Sequence, residues 1–475
     1  MKPVSLFKSG LWISSATFAT RFGALLSSLI LARLLSPEEF GVIGIAYVFW
    51  AFFGLFVQDV AGTFINYKGI EPKYVNTVFT VSLIAGGFFG LTMVATSSIV
   101  AGFFNEPALV GLLCIFAVNV FLSSANYVFA GVMTRKTYYR SLANISLVSS
   151  ATRLIFTISS AFLGLSYWSF AVGDTAFWIV SCLLTWRCSK QQFRLQLNPE
   201  VRREVMTFYL GAVGSGFGYY MNANMDNFTV GKLLGSASLG FYNLAYQLTM
   251  ATATIFGSVF GQLGVPMFAQ LTDDKEQETV LLKIVQRVAL CAAPLYGLIL
   301  LIVTPELITL TFGAKWIPIC TVMPGLLASA YFRVVNLPLA SMLVAKGRPD
   351  VNARVNLQIA PIALAGFVAG AHWGGIVGVS ISAALVLGVG WTLYWWWVGC
   401  RQLQWSVGKF LIHCFLPTLL ILPGLLLTFD MPWLLKPFIF ILVYLITLRI
   451  FTPKLFLQVQ TLANHALGRF IHSNS

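Results

Sequence analysis

Residues 33–47 read RLLSPEEFGVIGIAY, and residues 232–246 read KLLGSASLGFYNLAY. At a constant offset of 199 residues, Leu34, Leu35, Gly41, Ala46 and Tyr47 recur as Leu233, Leu234, Gly240, Ala245 and Tyr246, with Arg33 matched by Lys232. Apolar sequences match by chance, so the identities alone decide little. Their place decides more: each copy sits at the turn between a first and a second apolar helix. Six helices separate the copies, so the two units run in the same direction, related by an axis along the membrane normal.

Outward from these turns the chain is a series of membrane-length helices. A bilayer core about 30 Å thick takes about 20 apolar residues per helix. Fourteen such stretches follow one another. They are Leu11–Leu34, Phe40–Asn66, Val75–Phe103, Ala108–Met133, Ser141–Leu163, Tyr167–Trp186, Phe208–Val230, Leu239–Phe268, Ile284–Val303, Ile317–Val344, Val355–Ala371, Gly374–Val398, Phe410–Thr428 and Trp433–Phe451. The expected fold is an all-α polytopic membrane protein of about fourteen transmembrane helices. It divides into an N-lobe (1–186), a cytoplasmic linker (187–206), a C-lobe (207–399), two further helices (400–452) and a cytoplasmic amphipathic tail (453–475), with the two six-helix lobes related by a pseudo-twofold axis.

Composition agrees: 58% hydrophobic and 10% charged residues leave too few polar groups to solvate a globular surface of 475 residues. Cations settle the orientation, because Lys and Arg gather in short cytoplasmic loops. With the N-terminus inside, Arg33, Lys232, Lys315 and Lys436 lie outside, Arg21, Arg153 and Arg333 lie within helices, and every other one of the 30 Lys and Arg lies on the inner side. Both termini are then cytoplasmic. The net charge of +14 does not point to nucleic acid, since the cations occupy every inner loop and form no single patch. Lys2 and Lys8 precede an apolar run longer than the 7–15 residues usual in a signal peptide, so the run stays as the first helix.

Little suggests an enzyme. The outer loops are short, and HExxH, GxSxG and GxxxxGK[ST] are missing. Gly214, Gly216 and Gly218 lie in an apolar helix with no preceding strand, which favours helix packing over a dinucleotide loop. The seven cysteines show no CxxC spacing and the four histidines are scattered, so no metal site and no cofactor is expected. Tyr394, Trp395, Trp396 and Trp397 fit an interfacial belt. Beyond Pro453, Leu455, Val459, Leu462, Ala466 and Phe470 share one helical face, as in a surface helix.

LARLLSPEEFGVIGIAYVFWAFFGLFVQD, Leu31–Asp59, resembles the opening signature of bacterial polysaccharide and oligosaccharide flippases, in the superfamily that also holds multidrug exporters and the lipid II flippase. GVMTRKTYYRSLANISL, Gly131–Leu147, resembles the basic loop and following helix of the exopolysaccharide exporter branch. QDVAGTF, Gln58–Phe64, departs from the pattern in placing its glycine only at Gly62. The resemblance implies two lobes in a V that alternate between inward-open and outward-open. The cargo it implies is an undecaprenyl-pyrophosphate-linked sugar unit, with membrane lipids and downstream polysaccharide polymerase or export machinery as partners. A two-lobed monomer suffices for this.

A flippase of that kind needs a cationic groove, and Arg binds phosphate bidentately. Ionisable residues inside a membrane cost about 2.5–3.5 kcal/mol and mark functional sites by default. Arg21, with Ser14, Thr17 and Ser28 along its helix, is a candidate for the substrate cavity, together with Arg153 and Arg333. The alternative for each is a structural cation paired with an acid. Ser215, Tyr219, Asn222 and Asp226 fall at i, i+4, i+7 and i+11 on one helical face, widened by Asn224 and Asn227. That face is either a cavity wall, with Asp226 as a proton or sodium coupling site, or an interhelical hydrogen-bond seam. Asp59 and Asp174 are further candidates for coupling or for pairing with the arginines. Arg33 and Lys232 stand in equivalent external turns, where they could gate the lobes with Glu38 and Glu39.

Two other functions compete with the flippase. A drug or cation exporter of the same superfamily would favour acids in its cavity, against three buried arginines. A membrane-embedded sugar polymerase or ligase would carry a long external loop, and none is visible.

Overall fold

The computed structural model describes residues 26–57, 60–271, 273–428 and 431–453, with Thr20, Gly23 and Phe456 besides. Arg21, Asp59 and the proposed surface helix beyond Pro453, Phe456 apart, lie outside the described residues. After a helical segment at 26–34 come α1 (Pro37–Gly54), α2 (Val60–Lys68), α3 (Pro72–Phe104), α4 (Ala108–Arg135), α5 (Tyr139–Phe162) and α6 (Trp168–Ser189). The second half holds α7 (Pro199–Ala269), α8 (Asp274–Ile302), the short α9 (Pro305–Thr311), α10 (Ile319–Ala345) and α11 (Pro349–Ser382). A π-helical segment (Ala383–Gly390) leads into α12 (Trp391–Leu403), and α13 (Val407–Thr428) and α14 (Lys436–Phe451) complete the order. Among the described residues there is no strand, and nine helical runs are long and apolar enough to cross a membrane.

Two of those runs hold a reversal. Gly235 (φ 85°, ψ 174°) sits inside α7, a left-handed conformation that glycine adopts without a Cβ penalty. The arms on either side fold back on each other, so the Tyr242 hydroxyl donates to Asp226 Oδ2 at 3.0 Å. Gly374 and Gly375 (φ 56°) break α11 in the same way, and a Cβ on Gly370 would lie 2.4 Å from the carbonyl of Gly378 in the facing arm. These hairpins are the separate stretches expected over 208–230 and 239–268, and over 355–371 and 374–398.

The stretch expected as one helix over 40–66 is interrupted instead. Leu55, Phe56 and Val57 bond three residues back, to Phe52, Phe53 and Gly54, which tightens the chain into a turn between α1 and α2. Beyond it Gly62 of α2 meets Gly131 of α4 backbone to backbone, the Cβ of a residue at 131 falling 2.6 Å from Gly62 Cα. The tryptophan belt also divides. Consecutive helical residues lie about 100° apart, so four in a row cannot share one face. Trp395 and Trp396 are buried in the core, Trp396 donating to Asn336 Oδ1 at 2.9 Å, while Trp397 is 48% exposed.

α3 packs on α4, α5 on α6, and α4 on α6 in the first half; α7 packs on α10 and α11, and α8 on α10, in the second. α13 and α14 lie against α8 at the flank. The halves meet chiefly where α1 lies on α7, at the two repeated turns. A Cβ on Gly41 would fall 1.7 Å from the Ser236 carbonyl oxygen, and one on Gly240 would fall 1.8 Å from the Pro37 carbonyl oxygen. Adding the repeat offset to Gly41 and Pro37 yields Gly240 and Ser236, so each contact is the image of the other. The pseudo-twofold axis therefore passes between these turns, and only glycine lets the backbones approach so closely.

Gly41→Ala and Gly240→Ala should each destabilise the protein by about 1–3 kcal/mol, the cost of overpacking a tight contact. Thermal unfolding in detergent will read this as a lowered Tm, with Gly257→Ala, which has no neighbour within 4 Å of its Cβ, as the neutral comparison.

Candidate functional site

Two polar cavities each contain an intramembrane arginine bonded to the tyrosine of a repeat. In the first half α1 supplies Tyr47, α5 Arg153 and α6 Asp174. Arg153 Nε lies 2.6 Å from Asp174 Oδ1, the Tyr47 hydroxyl donates to Asp174 Oδ2 at 2.6 Å, and Arg153 Nη2 donates to the Tyr47 oxygen at 3.3 Å. The close fit of α5 on α6 sets this triad, since a Cβ on Gly173 would meet Thr157 Oγ1 at 1.8 Å. Phe116 stacks on the Tyr47 ring at 5.4 Å and holds it in place. Arg153 and Tyr47 face a cavity of about 280 Å³ that also receives Ser27, Ser28, Ser150 and Gln247. Its cation and its anion cancel.

In the second half Arg333 of α10 donates through Nη1 to the Tyr246 oxygen at 3.2 Å and to Met250 Sδ at 3.6 Å. Among the described residues it takes part in no ion pair within 4.0 Å. It lines a cavity of about 680 Å³ together with Tyr219, Asn336, Asn352, Asn356 and Trp391. This cavity keeps the positive charge that the first one neutralises.

Asp226 is 3% exposed and does not line that cavity. Its Oδ1 accepts from the backbone and side-chain N–H of Asn227 at 2.8 and 3.3 Å, and its Oδ2 accepts from Tyr242. Asn222 donates to the Asn356 carbonyl at 2.9 Å and ties α7 to α11. The polar face of residues 215–226 is therefore split: Tyr219 faces the cavity, while Asn222 and Asp226 are packed between helices. The four positions stay within about 60° of one another on a helix of 3.6 residues per turn, so it is the helical segments packed against this arm of α7 at Asn356 and Tyr242, and not helical drift, that close off Asn222 and Asp226. Two amide oxygens beside Asp226, Asn222 Oδ1 and Asn227 Oδ1, are buried with no hydrogen-bond partner. Asn227 turns its amide N–H and not its oxygen to the carboxylate, and Asn222 is turned to Asn356.

At the repeated turns the lobes are latched by cations, but not through the glutamates. Arg33 Nε donates to the Thr311 carbonyl at 2.7 Å and its Nη2 to that of Leu310, at the C-terminus of α9 in the second half. Lys232 donates to the Phe103 carbonyl at 2.6 Å, at the C-terminus of α3 in the first half, and sits 4.0 Å from the Phe103 ring centroid. Each repeat thus sends one cation to a helix C-terminus of the opposite half, where the helix dipole favours positive charge. Lys315 adds bonds to the Leu35 and Arg33 carbonyls, and Trp316 Nε1 one to that of Ala32 at 2.7 Å. Glu39 is engaged elsewhere, as the capping-box partner of Ser36 and as acceptor for the Ser166 hydroxyl. Among the described residues neither Glu38 nor Glu39 forms an ion pair with Arg33 or Lys232.

Two like-oriented helical lobes, a polar cavity in each and a seam latched at one end define a multi-pass membrane transporter. The chain belongs to the polysaccharide biosynthesis protein family, which matches residues 30–321. It is 23% identical over 434 residues to the lipopolysaccharide biosynthesis protein WzxC of Escherichia coli, covering 90% of this chain and 87% of that one. It is 24% identical over 291 residues to the succinoglycan biosynthesis transport protein ExoT of Rhizobium meliloti, covering 60% of this chain and 58% of that one. Its fold matches the inward closed conformation of the lipid II flippase MurJ with a TM-score of 0.74 at 16% identity, over 94% of this chain and 99% of that chain.

Tyr47 and Tyr246 are the site residues that the sequence reading missed, although the repeat had already marked both as identities.

Replacing both latch cations by glutamine (Arg33→Gln with Lys232→Gln) should raise the labelling rate of a cysteine at Leu35, a buried seam position, by about fivefold, matching a loss of about 1 kcal/mol. A membrane-impermeant maleimide on intact cells reads this. In the first half, Arg153→Gln should lower Tm more than Arg153→Gln combined with Asp174→Asn, because the single change strands a carboxylate in the membrane.

Proposed function

We propose that this protein flips lipid-linked oligosaccharide units from the cytoplasmic to the external leaflet of a bacterial inner membrane, by alternating access of its two lobes, to supply polysaccharide assembly. The observation that carries the reading is Arg333, a permanently charged group with no carboxylate within 4.0 Å among the described residues, in a 680 Å³ cavity at membrane depth. A pyrophosphate offsets the cost of burying that charge and takes up its fork of donors. Neutral or cationic drugs would leave it uncompensated, which disfavours the exporter alternative. The names of the family and of its relatives, polysaccharide and lipopolysaccharide biosynthesis, support the same cargo class.

On this reading the latched end around Arg33 and Lys232 faces the periplasm, and both termini and the linker face the cytoplasm, in keeping with the basic inner loops. The lipid tail stays in the bilayer while the head group occupies the cavity. Arg153, held by Asp174, is a structural cation until the lobes move. The protein acts as a monomer and hands its cargo to polymerase or export machinery. Asp226, buried between the two arms of α7, is the candidate for proton or sodium coupling.

Outward translocation of a fluorescent undecaprenyl-pyrophosphate oligosaccharide in proteoliposomes tests the reading. Arg333→Gln should cut the rate at least about tenfold, the loss of one charge-assisted contact pair, at an unchanged Tm. Wild-type rates for cationic dyes above those for the lipid would overturn the assignment. Asp226→Asn should abolish any sodium dependence of the rate while leaving binding of the lipid in place.

A further inference from the structure

A third cavity differs from the other two in having almost no polar wall. It encloses about 460 Å³ between the first half and the linker end of α7, bounded by Phe56, Val81 and Phe89 on one side and by Met206, Tyr209 and Val213 on the other. The Tyr209 hydroxyl is already bonded to Ser82 Oγ at 2.6 Å, and Phe56 stacks on Phe89 at 4.3 Å, so the wall presents hydrocarbon. Its rim is open to the bilayer: Ile84, Phe88 and Leu210 are 59%, 61% and 72% exposed. Arg202 stands at one end, exposed on the first turns of α7, just past the polar linker.

We propose that this groove binds an acyl chain of an anionic phospholipid from the leaflet on the linker side, with the lipid phosphate on Arg202. The dimensions select this occupant. From Arg202 to Val213 a helix rises about 16 Å, and half of a hydrocarbon core is about 15 Å, so the groove runs from the interface to the bilayer midplane. The charge selects it too. Arg202 is in no ion pair among the described residues, the neighbouring Glu204 being taken by Lys68, and Arg203 and Arg194 add positive potential at the same level. A polyprenyl chain of a transported lipid is disfavoured, since its pyrophosphate would sit on Arg202, far along the chain fold from the Arg333 cavity in the other half.

The groove lies where α7 changes allegiance. Its linker end packs on the first half, Phe208 against Phe64 at 5.5 Å, whereas at Asn222 it bonds to α11 of the second half. A lipid seated here fastens α7 to α3 and so steadies the first half against movement of the second.

Native mass spectrometry of the delipidated full chain, titrated with phosphatidylglycerol or phosphatidylcholine of identical acyl chains, tests the site. Wild type should retain phosphatidylglycerol about fivefold better, the effect of one interfacial arginine. Arg202→Gln should abolish the preference between head groups, and Ala85→Phe, which fills the groove, should remove retention of both lipids. Val213→Phe fills it from the opposite wall and repeats the test should Ala85→Phe not fold. Equal retention by wild type and both groove-filling variants overturns the proposal. So does displacement of phosphatidylglycerol by equimolar undecaprenyl phosphate, which would assign the groove to a prenyl chain.

Discussion

The structure turns on two backbone contacts at the crossing of α1 and α7, Gly41 on Ser236 and Gly240 on Pro37. Lipid solvates apolar side chains as well as another helix does, so close approach of backbones is what draws membrane helices together. Here that approach is made twice, by equivalent residues, and it fixes where the symmetry axis runs. The latch cations Arg33 and Lys232 lie a few residues before these glycines, so the same contact sets their reach to the opposite half. Each tyrosine that holds an intramembrane arginine lies six residues after them, within two turns of the same helix.

From this symmetric frame the two cavities diverge in charge. Tyr47 and Tyr246 occupy equivalent positions and each meets an arginine, but among the described residues Arg153 alone of the two has a carboxylate in direct contact, Asp226 acting on Arg333 from beyond 4.0 Å. A symmetric scaffold thus carries an asymmetric field. The half that keeps its positive charge is suited to an anionic head group, and the half that cancels it can present hydroxyls and amides, Ser27, Ser28 and Gln247 among them, without attracting phosphate away.

Much of this was legible in the residues, because hydrophobic length reports helices and the repeat reports symmetry. The hairpin at Gly235 falls in the gap between two expected stretches, and the one at Gly374–Gly375 falls where the next expected stretch opens. The break after Gly54 was not read, since it follows from a local shift in hydrogen bonding at Leu55, Phe56 and Val57, although Gln58 and Asp59 interrupt the apolar run just beyond it. Which acid pairs with which arginine was also hidden: Arg153 and Asp174 meet through the packing of α5 on α6, set by Gly173 and Thr157. Glu39 is the instructive case. Ser36-Pro37-Glu38-Glu39 spells a capping box, and that local bond outcompetes the long-range gate for which Glu39 seemed available.

The latches end on main-chain carbonyls. A carbonyl oxygen at a helix C-terminus is the same group whichever residue bears it, so Leu310 and Thr311 contribute position and not identity, and Phe103 adds to its carbonyl only the ring beneath Lys232. Facing segments of the two halves can then drift in sequence without a compensating change across the seam. Closure built on ion pairs would instead tie each substitution to a matching one elsewhere in the chain. A fold made from two repeats, which must stay mutually complementary while each diverges, is freed from that constraint.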